Sequence, residues 1–267
     1  MAGTELTNVR SPRVKAARRL TKRAYREQDR KFLAEGPQAV REALKLDGVT
    51  LELFATAEAE LRHPELVTEA TLQGVPVHRA SGEVMAQLSQ TVTPQGLLAV
   101  CRLVHVALDD ALPAEPRLVA VLAHVRDPGN AGTVMRAADA AGADAVIFTD
   151  ASVDPYNGKC VRASAGSLFH LPVVIGAPVA RAVSLLRERG LRVLAADGAG
   201  KHTLDDVDLS GPTAWIFGNE AWGLPEEVLG QADEVVRVPI YGRAESLNLA
   251  TAAAVCLYSS ARAQRVS

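Results

Sequence analysis

The chain has 267 residues, 48% of them hydrophobic and only 4% aromatic, with a formal net charge of −2. That length and apolar content support two unequal domains with a substantial core and exclude global disorder. No apolar run approaches the roughly 18 residues of a membrane span. The opening MAGTELTNVRSPRVK lacks the apolar segment of a secretory signal. Cys101, Cys160 and Cys256 are far apart, and the six histidines show no close pairing. A metal site is therefore not expected, and the thiols fit a reduced, cytoplasmic setting.

Charge is unevenly spread. Residues 1–31 carry ten Lys/Arg against three Asp/Glu, a local surplus of seven, which leaves the remainder at −9. Such an arm suits a polyanion, although a solvated basic helix has the same composition. Ser11-Pro12 reads as a helix start, with Ser as N-cap and Pro in the first turn. Beyond the arm, KFLAEG predicts a short strand, AVREALKL a helix and LELFAT a strand. Residues 58–73 read as helical, VPVHRA as a strand, GEVMAQLSQ as a short helix and GLLAVCRLV as a strand. This alternation predicts a small α/β domain over residues 1–104.

HVALDDALPAEPR, residues 105–117, has two prolines and little periodicity and reads as a linker. A second domain, residues 118–267, follows. LVAVLAHV, ADAVIFT, HLPVVIG, LRVLAAD, PTAWIFG and DEVVRVPI are apolar runs of strand length. Helical patterns such as VMRAADAAG, VARAVSLLRERG and SLNLATAAAVCLYSSARAQ lie among them. Strands apolar on both faces and joined by helices predict a parallel sheet flanked by helices.

Open parallel sheets bind ligands beyond their strand ends, and three loops there have unusual content. DPGNAGTVMR lacks both the GKS/GKT ending of a phosphate loop and the GxGxxG dinucleotide fingerprint. Asn130 reads either as a turn or cap residue or as a polar contact. Arg136, about two turns into the helix, suits a phosphate or carboxylate. FGNEAWGLPEEV, residues 217–228, places Glu220 between Gly218 and Gly223, glycines that permit close approach or positive φ. VPIYGRAESLNLATAAA, residues 238–254, opens a small-residue helix at Ser246, with Ser246 and Asn248 as potential caps.

Taken together, N-x-G-x-x-x-R, then F-G-N-E-x-x-G-L, then V-P-I…E-S-L-N-L-A resemble the SpoU/TrmH branch of the SPOUT superfamily of RNA ribose 2′-O-methyltransferases. DPYNGKCVRASAGSLFHLPV, residues 154–173, is similar to the family's segment between its first two motifs. The resemblance covers nearly all of residues 117–264. Upstream, RAYREQDRKFLAEGPQAVREAL and TPQGLLAV resemble the extra substrate-binding domain of many members. Ala123 departs from the pattern, since many relatives carry aspartate there.

The resemblance implies an α/β SPOUT domain whose C-terminal segment forms a trefoil knot, a topology that ordinary connection rules disfavour. It implies S-adenosylmethionine as cofactor, held at Gly218, Val238, Ile240, Leu247 and Leu249. Asn130, Arg136, Glu220, Ser246 and Asn248 would surround the reacting centre. Arg136 would clamp a phosphate and stabilise developing negative charge, because a guanidinium remains protonated; the proton acceptor is left unassigned. Lys15, Arg18, Arg19, Lys22, Arg23, Arg26, Arg30 and Arg162 would grip RNA phosphates. Homodimerisation is also implied, as is RNA methylation, with ribosomal RNA favoured over transfer RNA. A non-catalytic RNA-binding protein on the same fold is the competing reading, and a nicotinamide oxidoreductase fails on its fingerprint.

Overall fold

A computed structural model describes residues 5–219 and 222–266. Its contacts divide the chain into two compact units, residues 1–104 with 156–169, and residues 105–155 with 170–267. Each unit has its own apolar cluster.

The first unit opens with α1 (Pro12–Arg19), capped as its sequence predicts: Ser11 Oγ accepts from Val14 N at 3.3 Å. There follow α2 (Arg23–Asp29), β1 (Lys31–Glu35), α3 (Pro37–Leu44) and β2 (Thr50–Ala55). The helical stretch expected over 58–73 is two helices, α4 (Ala57–Arg62) and α5 (Pro64–Leu72), because Pro64 cannot continue the first and starts the second. β3 (Val77–Arg79), α6 (Gly82–Leu88) and β4 (Leu97–Arg102) complete this part. The sheet order is β1-β4-β2-β3, with β4 antiparallel to both neighbours and β2 parallel to β3. Val14, Ala17 and Leu20 from the arm pack with Phe54, Met85, Leu88 and Leu98, so the arm's apolar stripe belongs to a core.

The second unit contains β5 (Leu118–Leu122), α7 (Pro128–Ala141) and β6 (Ala145–Thr149). The chain then contributes α8 (Gly158–Ala163) to the first unit. There Phe32 meets Tyr156 and Phe169, with ring centroids 4.7 and 5.9 Å away. Returning, it forms β7 (Val173–Ala177), α9 (Val179–Glu188), β8 (Arg192–Ala196), β9 (His202–Thr203) and β10 (Thr213–Phe217). It ends with α10 (Glu226–Leu229), β11 (Glu234–Arg237) and α11 (Leu249–Val266). Among the described residues the sheet has seven strands in the order β7-β6-β5-β10-β8-β11-β9, every pairing parallel. β5, β6 and β10 are buried throughout, which explains their uninterrupted apolar sequences. β9 has only two residues and carries no apolar run for a sequence reading to detect.

The sheet order turns back between β5 and β10, where successive connections leave in opposite directions. Such a switch point opens a crevice beyond the strand ends. Trp215 fixes α11 beneath this region: its buried indole Nε1 donates to Ser260 Oγ at 2.8 Å. No described helix is long and apolar enough to cross a membrane.

Candidate active site

The loops beyond β8, β10 and β11 converge on a cavity of about 770 Å³. Its wall includes Asn130 from α7, Ala196–Gly198 after β8, and Gly218, Asn219, Trp222 and Gly223 after β10. Val236–Val238, Ile240, Glu245–Leu249 and Ala252 supply the rest of the lining.

Local chemistry fixes each loop. Asp127 caps α7, its Oδ1 accepting from Asn130 N at 2.8 Å, with Pro128 in the first turn. His124, with φ of 59°, occupies the left-handed region that β-carbon sterics disfavour. Its carbonyl accepts from Asn219 Nδ2 at 3.3 Å, tying the end of β5 to the loop after β10. That loop closes on itself: Asn219 N donates to Gly223 O, and Gly223 N to Asn219 O, both at 2.9 Å. Gly223 has φ of 67°, a conformation suited to glycine. Gly218 is required for closeness: a Cβ there would lie 2.5 Å from Gly223 O. Asp197 joins the neighbouring loops, its Oδ1 accepting from Ala199 N at 2.9 Å and its Oδ2 from Leu224 N at 3.2 Å.

The third loop differs from the sequence expectation in one respect. α11 begins at Leu249, so Ser246 does not open it. Asn248 is the cap, its Oδ1 accepting from Ala250 N at 2.9 Å. The same side chain's Nδ2 donates to Asn130 Oδ1 at 3.1 Å. One amide therefore ends the third loop, starts α11 and holds α7. Tyr241, in the same loop, donates to Asp205 Oδ2 at 2.8 Å. That hydrogen bond, reinforced by the carboxylate's charge, pushes the phenol's pKa up and keeps it protonated.

The residues expected at the cofactor, Gly218, Val238, Ile240, Leu247 and Leu249, all line this cavity. So do Asn130, Ser246 and Asn248. Glu220 lies outside the described residues. Arg136 is exposed on α7 and is not part of the cavity wall, so this cavity brings Asn130, Ser246 and Asn248 together without it. The six-residue separation turns the two side chains to different sides of a 3.6-residue helix. Among the described residues no carboxylate pairs with Arg136.

The basic arm is less uniform than its sequence. Arg26 is buried, and its Nη1 donates to the carbonyls of Leu20 and Thr21, both at 2.9 Å. It braces the α1–α2 corner and is not presented to a polyanion. Arg162 donates to Glu35 Oε2 at 2.8 Å, and this carboxylate, 8% exposed, also accepts from Gln90 N and Thr91 Oγ1. Its guanidinium satisfies a buried charge, which removes it from the expected set of phosphate contacts. Arg19 is bound to Asp29 through two hydrogen bonds of 2.8 and 2.7 Å, and Arg23 to Glu27 at 2.7 Å. Arg30, exposed, ends α2 in the left-handed region. Lys15, Arg18 and Lys22 are exposed and have no ion-pair partner among the described residues.

Sequence reasoning did not single out Ala196–Gly198, Trp222 or Arg126. The first had a usable signal, because Asp-Gly directly after a parallel strand falls where such sheets bind ligands. The expectation of reduced cysteines agrees with three free, buried thiols. Burial pushes Cys101 and Cys256 up to about 12, which makes them poor nucleophiles. No cluster of potential metal ligands occurs among the described residues.

The fold and site define an α/β domain with a nucleoside-sized cavity at the switch point of a parallel sheet, accompanied by a separate small α/β unit. Residues 117–258 match the model of the SpoU rRNA Methylase family, and residues 11–99 match the MRM3-like substrate binding domain. The chain belongs to the SpoU rRNA methylase family. It is 34% identical to the Bacillus subtilis 23S rRNA (guanosine(2553)-2′-O)-methyltransferase RlmP, covering 95% of this chain and 98% of that protein. It is 32% identical to Bordetella pertussis 23S rRNA (guanosine-2′-O-)-methyltransferase RlmB, covering 79% and 88% respectively. The AdoMet-bound rRNA methyltransferase structure from Sinorhizobium meliloti aligns with a TM-score of 0.85 at 33% identity, covering 97% of both chains.

Proposed function

We propose that this chain is an S-adenosylmethionine-dependent RNA methyltransferase that modifies a ribose 2′-hydroxyl, with ribosomal RNA as substrate. The carrying observation is the three-loop cavity, which gathers Asn130, Ser246 and Asn248 from sequence-distant motifs onto one wall. Its fit to the cofactor rests on chemistry present in this chain. Val238, Ile240, Leu247 and Leu249 offer apolar surface to a flat nucleobase, and a Cβ on Gly198 would meet only open space. Asp197 and Glu245 give the lining acidic character suited to a sulfonium and ammonium, while Arg237 donates to the carbonyls of Gly200 and Lys201.

When bound, S-adenosylmethionine supplies an electrophilic methyl group on sulfur. The chain must hold the ribose hydroxyl in line with it and exclude competing water. The Asn130–Asn248 hydrogen bond fixes the spacing between the first and third motifs, so both amides meet substrate from rigid supports. Ser246, free of the helix, is available to orient substrate from the loop. Arg136 acts from the exposed side of α7 as a phosphate clamp and electrostatic stabiliser, the role that a cationic guanidinium with five donors and no acceptor can fill. Glu220 is assigned a positioning role by its place in the second motif.

The named 23S rRNA specificities of similar proteins favour ribosomal over transfer RNA for this chain, and with it a cytoplasmic place of action. Lys15, Arg18 and Lys22 provide phosphate contacts from the substrate-binding domain spanning residues 1–104. The parallel sheet order and the convergence of the last loops support a trefoil-knotted arrangement. A homodimer is supported by Val255 and Tyr258, 38% and 52% exposed on α11. Incubation with labelled S-adenosylmethionine and unmodified 23S rRNA transcript tests the activity. The expected product is a 2′-O-methylnucleoside; RNA binding without methyl transfer would favour the non-catalytic reading.

A further inference from the structure

Trp222 is 57% exposed although its backbone sits within a tightly closed loop, one residue before Gly223. Trp222 is one of the residues that line the cavity. Arg126, immediately before the cap of α7, places its guanidinium carbon 5.0 Å from the ring centroid. Among the described residues Arg126 has no ion-pair partner. An indole held this way is preorganised, retains accessible π surface and has a positive charge beside it. These properties suit a nucleobase joined to a phosphate better than an apolar ligand, because stacking and charge are offered together.

We propose that Trp222 and Arg126 form a platform on which a base of the RNA substrate stacks beside the cavity, with Arg126 meeting its phosphate. The proposal rests on the RNA methyltransferase reading and adds a positioning contact for the substrate strand. Val238, Ile240, Leu247 and Leu249 line the same cavity and offer apolar surface without a cation, whereas the guanidinium beside Trp222 disfavours a cationic sulfonium and favours a phosphate, so the platform is assigned to RNA and not to the cofactor.

The experiment uses the full chain and the variants Trp222→Ala and Trp222→Phe. Because Trp215 is fully buried, exposed-indole fluorescence reports Trp222. Fluorescence is titrated with short single-stranded RNA, a matched abasic oligomer and S-adenosylhomocysteine. RNA should quench a signal absent from both variants, while the abasic oligomer and S-adenosylhomocysteine should leave it nearly unchanged. Trp222→Ala should raise KM for 23S rRNA roughly tenfold to a hundredfold, with a smaller effect on kcat, and Trp222→Phe should restore most of the loss. Unchanged KM in the alanine variant, equal quenching by the abasic oligomer, or quenching by S-adenosylhomocysteine alone would overturn the platform. So would an altered oligomeric state with unaltered RNA affinity. If wild-type protein transfers no methyl group to RNA, the parent reading itself fails, whereas these outcomes with transfer intact remove only the platform.

Discussion

Gly218→Ala should cripple the cavity by adding a single methyl group. The new Cβ would lie 2.5 Å from Gly223 O, 2.6 Å from its carbonyl carbon and 2.7 Å from Leu224 Cγ. Two of these obstacles are backbone atoms, so no rotamer change relieves the clash. Ordinary contact begins near 3.4 Å, so the loop would have to retreat by about 0.9 Å. That motion strains the paired Asn219–Gly223 hydrogen bonds, and overpacking of this kind costs about 1–3 kcal/mol. If half or more of that cost, about 0.5–3 kcal/mol, falls on the binding conformation, the Kd for S-adenosylhomocysteine rises by roughly twofold to a hundredfold or more. Calorimetric titration reads the affinity, and a thermal melt shows that the protein remains folded. Gly211→Ala is the control, since its Cβ would meet nothing within 4 Å. Undiminished affinity in folded Gly218→Ala would refute the claim that this close backbone approach shapes the cofactor site.

Arg136→Ala should lower kcat for RNA methylation by at least roughly a hundredfold while leaving S-adenosylhomocysteine affinity within about twofold, as for a transition-state electrostatic contact; equal turnover would remove Arg136 from the reaction. Asn248→Ala deletes both a helix cap and the bond to Asn130. A stability loss of about 1 kcal/mol in denaturant titration and a larger proportional fall in kcat are expected. Replacing Lys15, Arg18 and Lys22 with glutamine should reduce the magnitude of the log Kd versus log salt slope by roughly 2 if all three meet phosphates. The same change at Arg26 should instead lower the melting temperature, because that side chain is buried against the carbonyls it serves.

Much of the fold was legible because strong local signals agreed with tertiary demands. β5, β6 and β10 are buried along their whole length, and their sequences are apolar without interruption. Ser11-Pro12 starts α1 by the capping chemistry its sequence predicts, whereas α7 is capped by Asp127 and encloses Asn130, the residue for which the sequence suggests a turn or cap. Asn130, Ser246 and Asn248 were recognisable through ordered motifs and do meet at one cavity. Charge was less readable, because composition cannot reveal how a cation is used. Arg26 turns inward to two carbonyls and Arg162 to Glu35, both through tertiary packing invisible in a count of basic residues. The different sides taken by Asn130 and Arg136 follow from α7 starting at Pro128 and including both residues, earlier than the VMRAADAAG pattern predicts. Trp222 was likewise hidden inside a recognised motif, since only the folded loop distinguishes an exposed ring from a core one.

The central claim is ribose methylation of ribosomal RNA by this chain. Mapping 2′-O-methyl positions across ribosomal RNA from cells with and without the protein tests it most directly. The expected result is one position that loses its methyl group in its absence and regains it with wild-type protein but not Arg136→Ala. An unchanged ribosomal map, or restoration of the mark by the Arg136→Ala variant, would contradict the substrate assignment or the proposed catalytic role respectively.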